Sequence, residues 1–192
     1  MEELIFPAES KDTVSKWHEY VPIIENKKLN EVTIHLMDGI EAPSLYAEAC
    51  YVLEHTDADK VILRINNGGG HLDTYLSLAE AIKRSNATVV ADISGTVASA
   101  ATMVALACDE LIVADHTSWM SHFYSGGVAG KGNEMRAQTS YTDKEMPKMF
   151  KAMHEGFFTK AEITKMVNGT DFWLNKEQVL TRWEKRAGLR DA

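Results

Sequence analysis

The chain has little of what marks the specialised protein classes. It holds two cysteines in 192 residues, Cys50 and Cys108, both inside apolar runs. That excludes a disulfide framework and reads as reduced core thiols of a cytosolic protein. No His-Glu-x-x-His, Cys-x-x-Cys or acidic loop occurs, so no metal site is expected, and nothing commits the chain to a cofactor. Basic residues are scarce: 20 Lys and Arg stand against 28 Asp and Glu, a net charge of −8. With no basic cluster or stacking-aromatic pattern, nucleic acid is not an expected partner. Long apolar runs are missing too. The run from Ile93 to Ala107 is too short for a membrane span and is interrupted by Ser94, Gly95 and Ser99. Met1-Glu2-Glu3-Leu4 has no basic n-region or long apolar core, so no signal peptide is expected and the expected location is cytoplasmic.

What remains is an ordinary globular composition, 45% hydrophobic and 25% charged. The length suits one domain, residues 1–192, able to bury a sizeable core. Residues 1–30 are polar and weakly patterned, with Pro7, Pro22 and a turn-like Glu25-Asn26-Lys27-Lys28. They read as an irregular arm with a short helix or strand around Trp17 to Ile24. From Glu31 the pattern alternates strand and helix. Strands are expected at 31–36, 60–65, 88–93, 110–113 and 117–121, with turns at Asp38-Gly39 and at Asn66 to Gly70. Helices are expected from Pro43 to about His55, from Leu72 to Arg84 and over 99–107. Leu72, Leu76, Ala79 and Ile82 mark the core face of the second. This is the pattern of an α/β fold with parallel pairing.

Beyond His122 the character changes. Phe123 to Gly132 carries four glycines and reads as a mobile loop or a poorly packed strand. A Met/Phe stripe follows at 146, 149, 150, 153 and 157, with Pro147 expected to start or kink a helix. Thr159-Lys160-Ala161-Glu162 is a capping box, and Asn175 caps a last helix reaching about Gly188.

Ser99 is the residue around which a site can be built. It lies where the apolar strand 88–93 gives way to the apolar helix 100–107. A hydroxyl there can be aimed into a cleft beside first-turn amides, or it can simply cap the helix. Gly68-Gly69-Gly70 lies at another strand-to-helix junction. It lacks the Lys-Ser/Thr ending of a phosphate loop and suits either an amide donor for an oxyanion or a plain tight turn. Of seven histidines, His122 closes a short strand before the glycine-rich loop, where an imidazole reaches a cleft. His71 and His116 are weaker candidates, and His18, His35, His55 and His154 read as structural. Asp171 starts a short extended segment and reads as a turn residue or as the orienter of a Ser-His-Asp set.

Four strings carry a resemblance. Ile65-Asn66-Asn67-Gly68-Gly69-Gly70 resembles the Ile-Asn-Ser-Pro-Gly-Gly turn of the Clp protease proteolytic subunit family, ClpP. Gly95-Thr96-Val97-Ala98-Ser99-Ala100 resembles its nucleophile turn. Met120-Ser121-His122 with Gly126-Gly127 resembles the segment of its base. Thr170 to Val179 resembles the segment that holds its Asp. The order and spacing match over about residues 31 to 188. The resemblance implies a ClpP/crotonase-type spiral of β-β-α units with a helical handle at about 123–158. It implies Ser99 as nucleophile, His122 as general base, Asp171 as orienter, and the amides of Gly70 and Ala100 as oxyanion donors. The implied function is a serine endopeptidase cleaving peptides or unfolded proteins inside a ring, a heptamer or double ring. The Met/Phe stripe becomes core or subunit packing.

Departures from the pattern are specific. Asn67-Gly68 stands for Ser-Pro, Ala100 for Met, and Phe123-Tyr124 for Gln-Pro. Residues 1–30 do not resemble the family's gating loops, so docking of an AAA+ unfoldase is not carried over. Three alternatives stay open: a non-catalytic ClpP-like scaffold, a signal-peptide-peptidase-A-like Ser/Lys enzyme, and a crotonase-fold enzyme that stabilises a thioester enolate.

Overall fold

The computed structural model describes residues 22–28 and 30–190. The expectation for Trp17 to Val21 lies outside them. Seven strands form one sheet in the order β1-β2-β3-β4-β6-β7, with β5 also paired to β4. The strands are β1 (Ile23–Lys28), β2 (Glu31–Ile40), β3 (Lys60–Gly70), β4 (Thr88–Ala98), β5 (Glu110–Val113), β6 (Ser118–Ser121) and β7 (Phe172–Leu174). The helices are α1 (Ala47–His55), α2 (Leu72–Arg84), α3 (Ala100–Ala107), α4 (Gly132–His154), α5 (Lys160–Val167) and α6 (Lys176–Arg190), with a 3-10 turn at Pro43–Tyr46 before α1. β2, β3, β4, β5 and β6 pair in parallel. The antiparallel partners β1 and β7 close the two edges. The expected α/β class with parallel pairing is therefore the one observed. Among the described residues no helix is long and apolar enough to cross a membrane.

Strand lengths differ from the local reading. β3 runs through Asn66-Asn67 to Gly70, although those residues favour turns. Neighbours on both sides supply ladder partners: Met37 and Asp38 of β2 pair with Asn66 and Asn67, and Val97 of β4 pairs with Asn67. Sheet pairing outweighs local turn preference here. Asp38-Gly39 is likewise no turn. Asp38 has φ 62 and sits at a shift of register within β2, as in a bulge. Glu25 to Lys28, turn-like in sequence, belongs to β1. The strand expected over 88–93 continues to Ala98, with Gly95 at φ 61. That bend divides it: Val90 to Ile93 pair with β5, and Thr96 to Ala98 pair with β6.

α2 has its expected bounds, and of its expected face Ile82 is buried and Leu72 and Ala79 pack half-buried against the core. Thr74, Tyr75, Leu78, Ala81 and Ile82 are buried, whereas Leu76 is 39% exposed. α3 is buried from Ala100 to Leu106 and packs on β3 and β4, as a helix apolar all round must. Pro147 does not start a helix: it lies inside α4, which runs from Gly132 to His154. A proline there removes the bond to the carbonyl of Asp143. Asp143 is exposed, so water can satisfy that oxygen. Phe150 and His154 bury the far end of the helix. The glycine-rich stretch before it is irregular rather than a strand. The two caps read from sequence are present. Thr159 Oγ1 accepts the Glu162 N–H at 3.2 Å, and Asn175 Oδ1 accepts the Gln178 N–H at 3.0 Å.

Candidate active site

Residue 99 links β4 to α3 in an uncommon conformation, φ 55 and ψ −126. A side chain other than glycine in that region costs about 1–3 kcal/mol and persists only where its surroundings over-determine it. They do so here. The Ser99 N–H donates to the Met120 carbonyl at 2.8 Å. The Ser99 carbonyl accepts the Thr102 N–H at 3.0 Å and the Thr102 hydroxyl at 2.7 Å. Ser99 occupies the N-cap position but its side chain makes no capping bond. Its Oγ lies 2.8 Å from His122 Nε2 instead. With the ring proton on Nδ1, the hydroxyl donates to Nε2.

The approach follows from sheet register. Thr96, Val97 and Ala98 of β4 pair with Ser118, Trp119 and Met120 of β6. The two parallel strands finish side by side, and residues just past their carboxyl ends emerge at the same edge of the sheet, where open α/β sheets place their sites. Ser99 and His122 are both half-buried, reachable from solvent yet held by packed elements.

The glycine turn meets this pair at Gly69. Gly69 has φ +91, and a Cβ there would sit 2.6 Å from Ser99 Cβ and 2.9 Å from the Ala100 nitrogen. Only glycine allows β3 to approach the Ser99-Ala100 peptide so closely. Its N–H donates to Asn67 Oδ1 at 2.8 Å, and Asn66 Oδ1 accepts the Thr96 N–H at 3.1 Å. Adjacent asparagines thus hold the turn, one from within and one through β4. Gly70 pairs with Ile40 of β2, and a Cβ on it would collide with the Ile40 carbonyl. Ala100 opens α3, where first-turn amides have no intrahelical acceptor. The sequence reading names the stretch Asn66 to Gly70 but gives a site role to Gly70 alone, not to Gly69, Asn66 or Asn67. The signal available for them was an Asn-Asn-Gly run, whose side chains bond nearby backbone.

Asp171 lies one residue before β7, as His122 lies one residue after β6. β7 runs antiparallel to β6 with Phe172 opposite Ser121. One further step of that register places residue 171 across from residue 122. The Asp171 side chain is exposed, and among the described residues no hydrogen bond or ion pair joins it to His122. The structure therefore brings Ser99 and His122 together, and Asp171 is not hydrogen-bonded to the pair. His71 and His116 are exposed, and among the described residues no hydrogen bond joins either to Ser99 or His122.

Displaced pKa values lie elsewhere. Burial pushes His154 down to about 4, with Arg186 adding to the effect. Glu162 falls to about 2 through its hydrogen bonds from Arg182, chiefly, and from Thr159. Both belong to the α4–α5–α6 cluster. Among the described residues no three His, Cys, Asp or Glu side chains are grouped to hold a metal ion.

Residues 18–182 match the family model described as Clp protease. Among curated relatives, the ATP-dependent Clp protease proteolytic subunit 2 of Pseudomonas aeruginosa is 24% identical over 132 residues. That alignment covers 68% of this chain and 66% of the relative.

Proposed function

The chain belongs to the Clp protease family, and from that premise we propose that it is a serine endopeptidase acting on peptides or unfolded proteins within a homo-oligomeric ring. The observation that carries this reading is the Ser99 Oγ to His122 Nε2 distance of 2.8 Å, made by a serine whose backbone is held out of its relaxed range. In the reaction Ser99 Oγ attacks the scissile carbonyl as its proton passes to His122 Nε2. The Ala100 amide and the glycine turn, through Gly70, receive the oxyanion. The C–N bond then breaks, and the leaving amine takes the proton from Nε2. Water, deprotonated by His122, attacks the acyl-enzyme and regenerates the Ser99 hydroxyl. Asp171 orients and charge-stabilises the imidazole once its side chain turns across the β6–β7 register onto Nδ1.

One observation favours a second reading. Among the described residues no hydrogen bond joins Asp171 to His122, as expected of a non-catalytic ClpP-like scaffold; catalytic hydrogen bonds are also often long in unliganded sites and tighten with substrate. A fluorophosphonate probe separates the two readings. The peptidase labels at Ser99 in the assembled protein, and Ser99→Ala abolishes both labelling and peptide cleavage. An unlabelled wild type whose cleavage survives Ser99→Ala rejects this mechanism.

A further inference from the structure

A buried chain of side-chain hydrogen bonds ends on the Ser99 backbone. Trp119 and Ser121 alternate along β6 and so share a face. Trp119 Nε1–H donates to Ser121 Oγ at 2.9 Å. Ser121 Oγ–H donates to Thr102 Oγ1 at 3.3 Å. Thr102 Oγ1–H donates to the Ser99 carbonyl at 2.7 Å. The direction is forced. A carbonyl can only accept, so the single Thr102 proton goes to Ser99; the Ser121–Thr102 bond then needs the Ser121 proton, and Ser121 Oγ accepts from the indole, which can only donate. Trp119 and Thr102 are 0% exposed and Ser121 is 1% exposed, so water does not compete. In such surroundings each bond polarises the next, and an unmet donor is costly.

The geometry points to this Trp119–Ser121–Thr102 relay as a positioning device for the candidate nucleophile. The inference rests on the reading of Ser99 as that nucleophile. Two donors from Thr102 hold the carbonyl of residue 99, while Met120, between the two β6 members of the relay, takes its N–H. Rotating the Ser99 peptide out of φ 55 breaks these bonds together. The same relay ties β6, whose next residue is His122, to α3, which begins at Ala100. It therefore fixes where the base stands relative to the hydroxyl. None of the three side chains is hydrogen-bonded to the Ser99 hydroxyl or the His122 imidazole, so all three are positioning residues.

The test is the rate at which a fluorophosphonate labels Ser99, with kcat and KM for a peptide substrate. Thr102→Val keeps shape but removes the hydroxyl, and should slow labelling and lower kcat about tenfold or more with KM little changed, as misplacement of reacting groups does. Thr102→Ser, which restores the hydroxyl, should recover the rate to within about threefold of wild type, on the same argument. Thr117→Val is the control. Its hydroxyl also donates to a backbone carbonyl, that of Ala114, at 2.8 Å, without leading to Ser99, and its removal should leave the rate unchanged. Thr102→Val at the wild-type rate overturns the inference, as does Thr102→Ser no faster than Thr102→Val. Should Thr102→Val fail to fold, Ser121→Ala cuts the relay from the other side, and its labelling at the wild-type rate overturns the inference equally. A wild type that is not labelled at all removes the nucleophile itself, and the positioning role with it. That result is distinct from a labelled wild type with indifferent variants.

Discussion

The edge where β4 and β6 end and the cluster formed by α4, α5 and α6 are built from similar residue types and put them to different use. At the sheet edge Ser99 is held in a left-handed backbone, and its hydroxyl is spent on His122. In the helical cluster the polar groups are spent on one another and on the backbone. Arg182 donates to both oxygens of Glu162, at 2.7 and 3.1 Å, and to the Phe157 carbonyl at 3.1 Å, and lies over the Phe158 ring. His154 is buried between Phe150 and Phe158, bonded through Nδ1 to the Phe150 carbonyl, with Nε2 left without a partner. Displaced pKa values point to functional sites only on average, because structural networks displace them too. In this chain they mark the scaffold. The candidate chemistry is marked by backbone strain and an unused cap.

That division can be broken by substitution. Ser99→Ala should lower peptide cleavage by about 10⁴-fold or more while the thermal midpoint changes little, read from steady-state rates and a melt of the same sample. A large loss of stability with no loss of rate would reverse the roles of the two regions. Asp171→Asn comes next. If the carboxylate closes on His122 during turnover, kcat falls by about 10³ to 10⁴-fold, the scale on which loss of such an orienter acts. A loss below about tenfold would show that Ser99 and His122 work as a pair.

The helical cluster should respond in stability instead. His154 stays neutral in the fold down to about pH 4, against about 6.5 for an ordinary imidazole. Between those values the unfolded chain binds a proton that the folded chain refuses. Stability should therefore fall as pH drops from about 6.5 to about 4, by on the order of 3 kcal/mol, and then level off for this group. Denaturant titrations of wild type and His154→Phe across that window check it, since the variant should lose this part of the slope. Glu162 acts lower, its stabilisation being present above about pH 4.5 and lost towards about 2. The smallest effect is that of Thr159→Ala, which removes the α5 cap and should cost about 1 kcal/mol without changing the rate of Ser99 labelling.

Much of this was legible along the chain, for reasons that are local. Alternation and apolar spacing mark strands and helices through the side chains of single elements, and the Thr159 and Asn175 caps need only their own first turns. The junction holding Ser99 was visible because an apolar strand and an apolar helix flank it. Where the local reading departed from the structure, a neighbour intervened. Leu78 rather than Leu76 faces the core of α2 because α1 and α3 settle which stripe is covered. α4 continues through Pro147 because the residue whose carbonyl it orphans, Asp143, is exposed and the far end of the helix is anchored. β3 extends through Asn66-Asn67 because β2 and β4 pair with it on either side.

The sequence by itself determined the α/β class and the order of the elements, and it named the candidate site side chains, since these depend on periodicity and residue type. Only the tertiary structure decided that Ser99 is not a cap, that Gly69 is the glycine against its peptide, and that Asp171 makes no hydrogen bond to His122. Those facts depend on the register between strands far apart in sequence. A shift of one residue in the β4–β6 pairing would turn every side chain to the opposite face and separate Ser99 from His122.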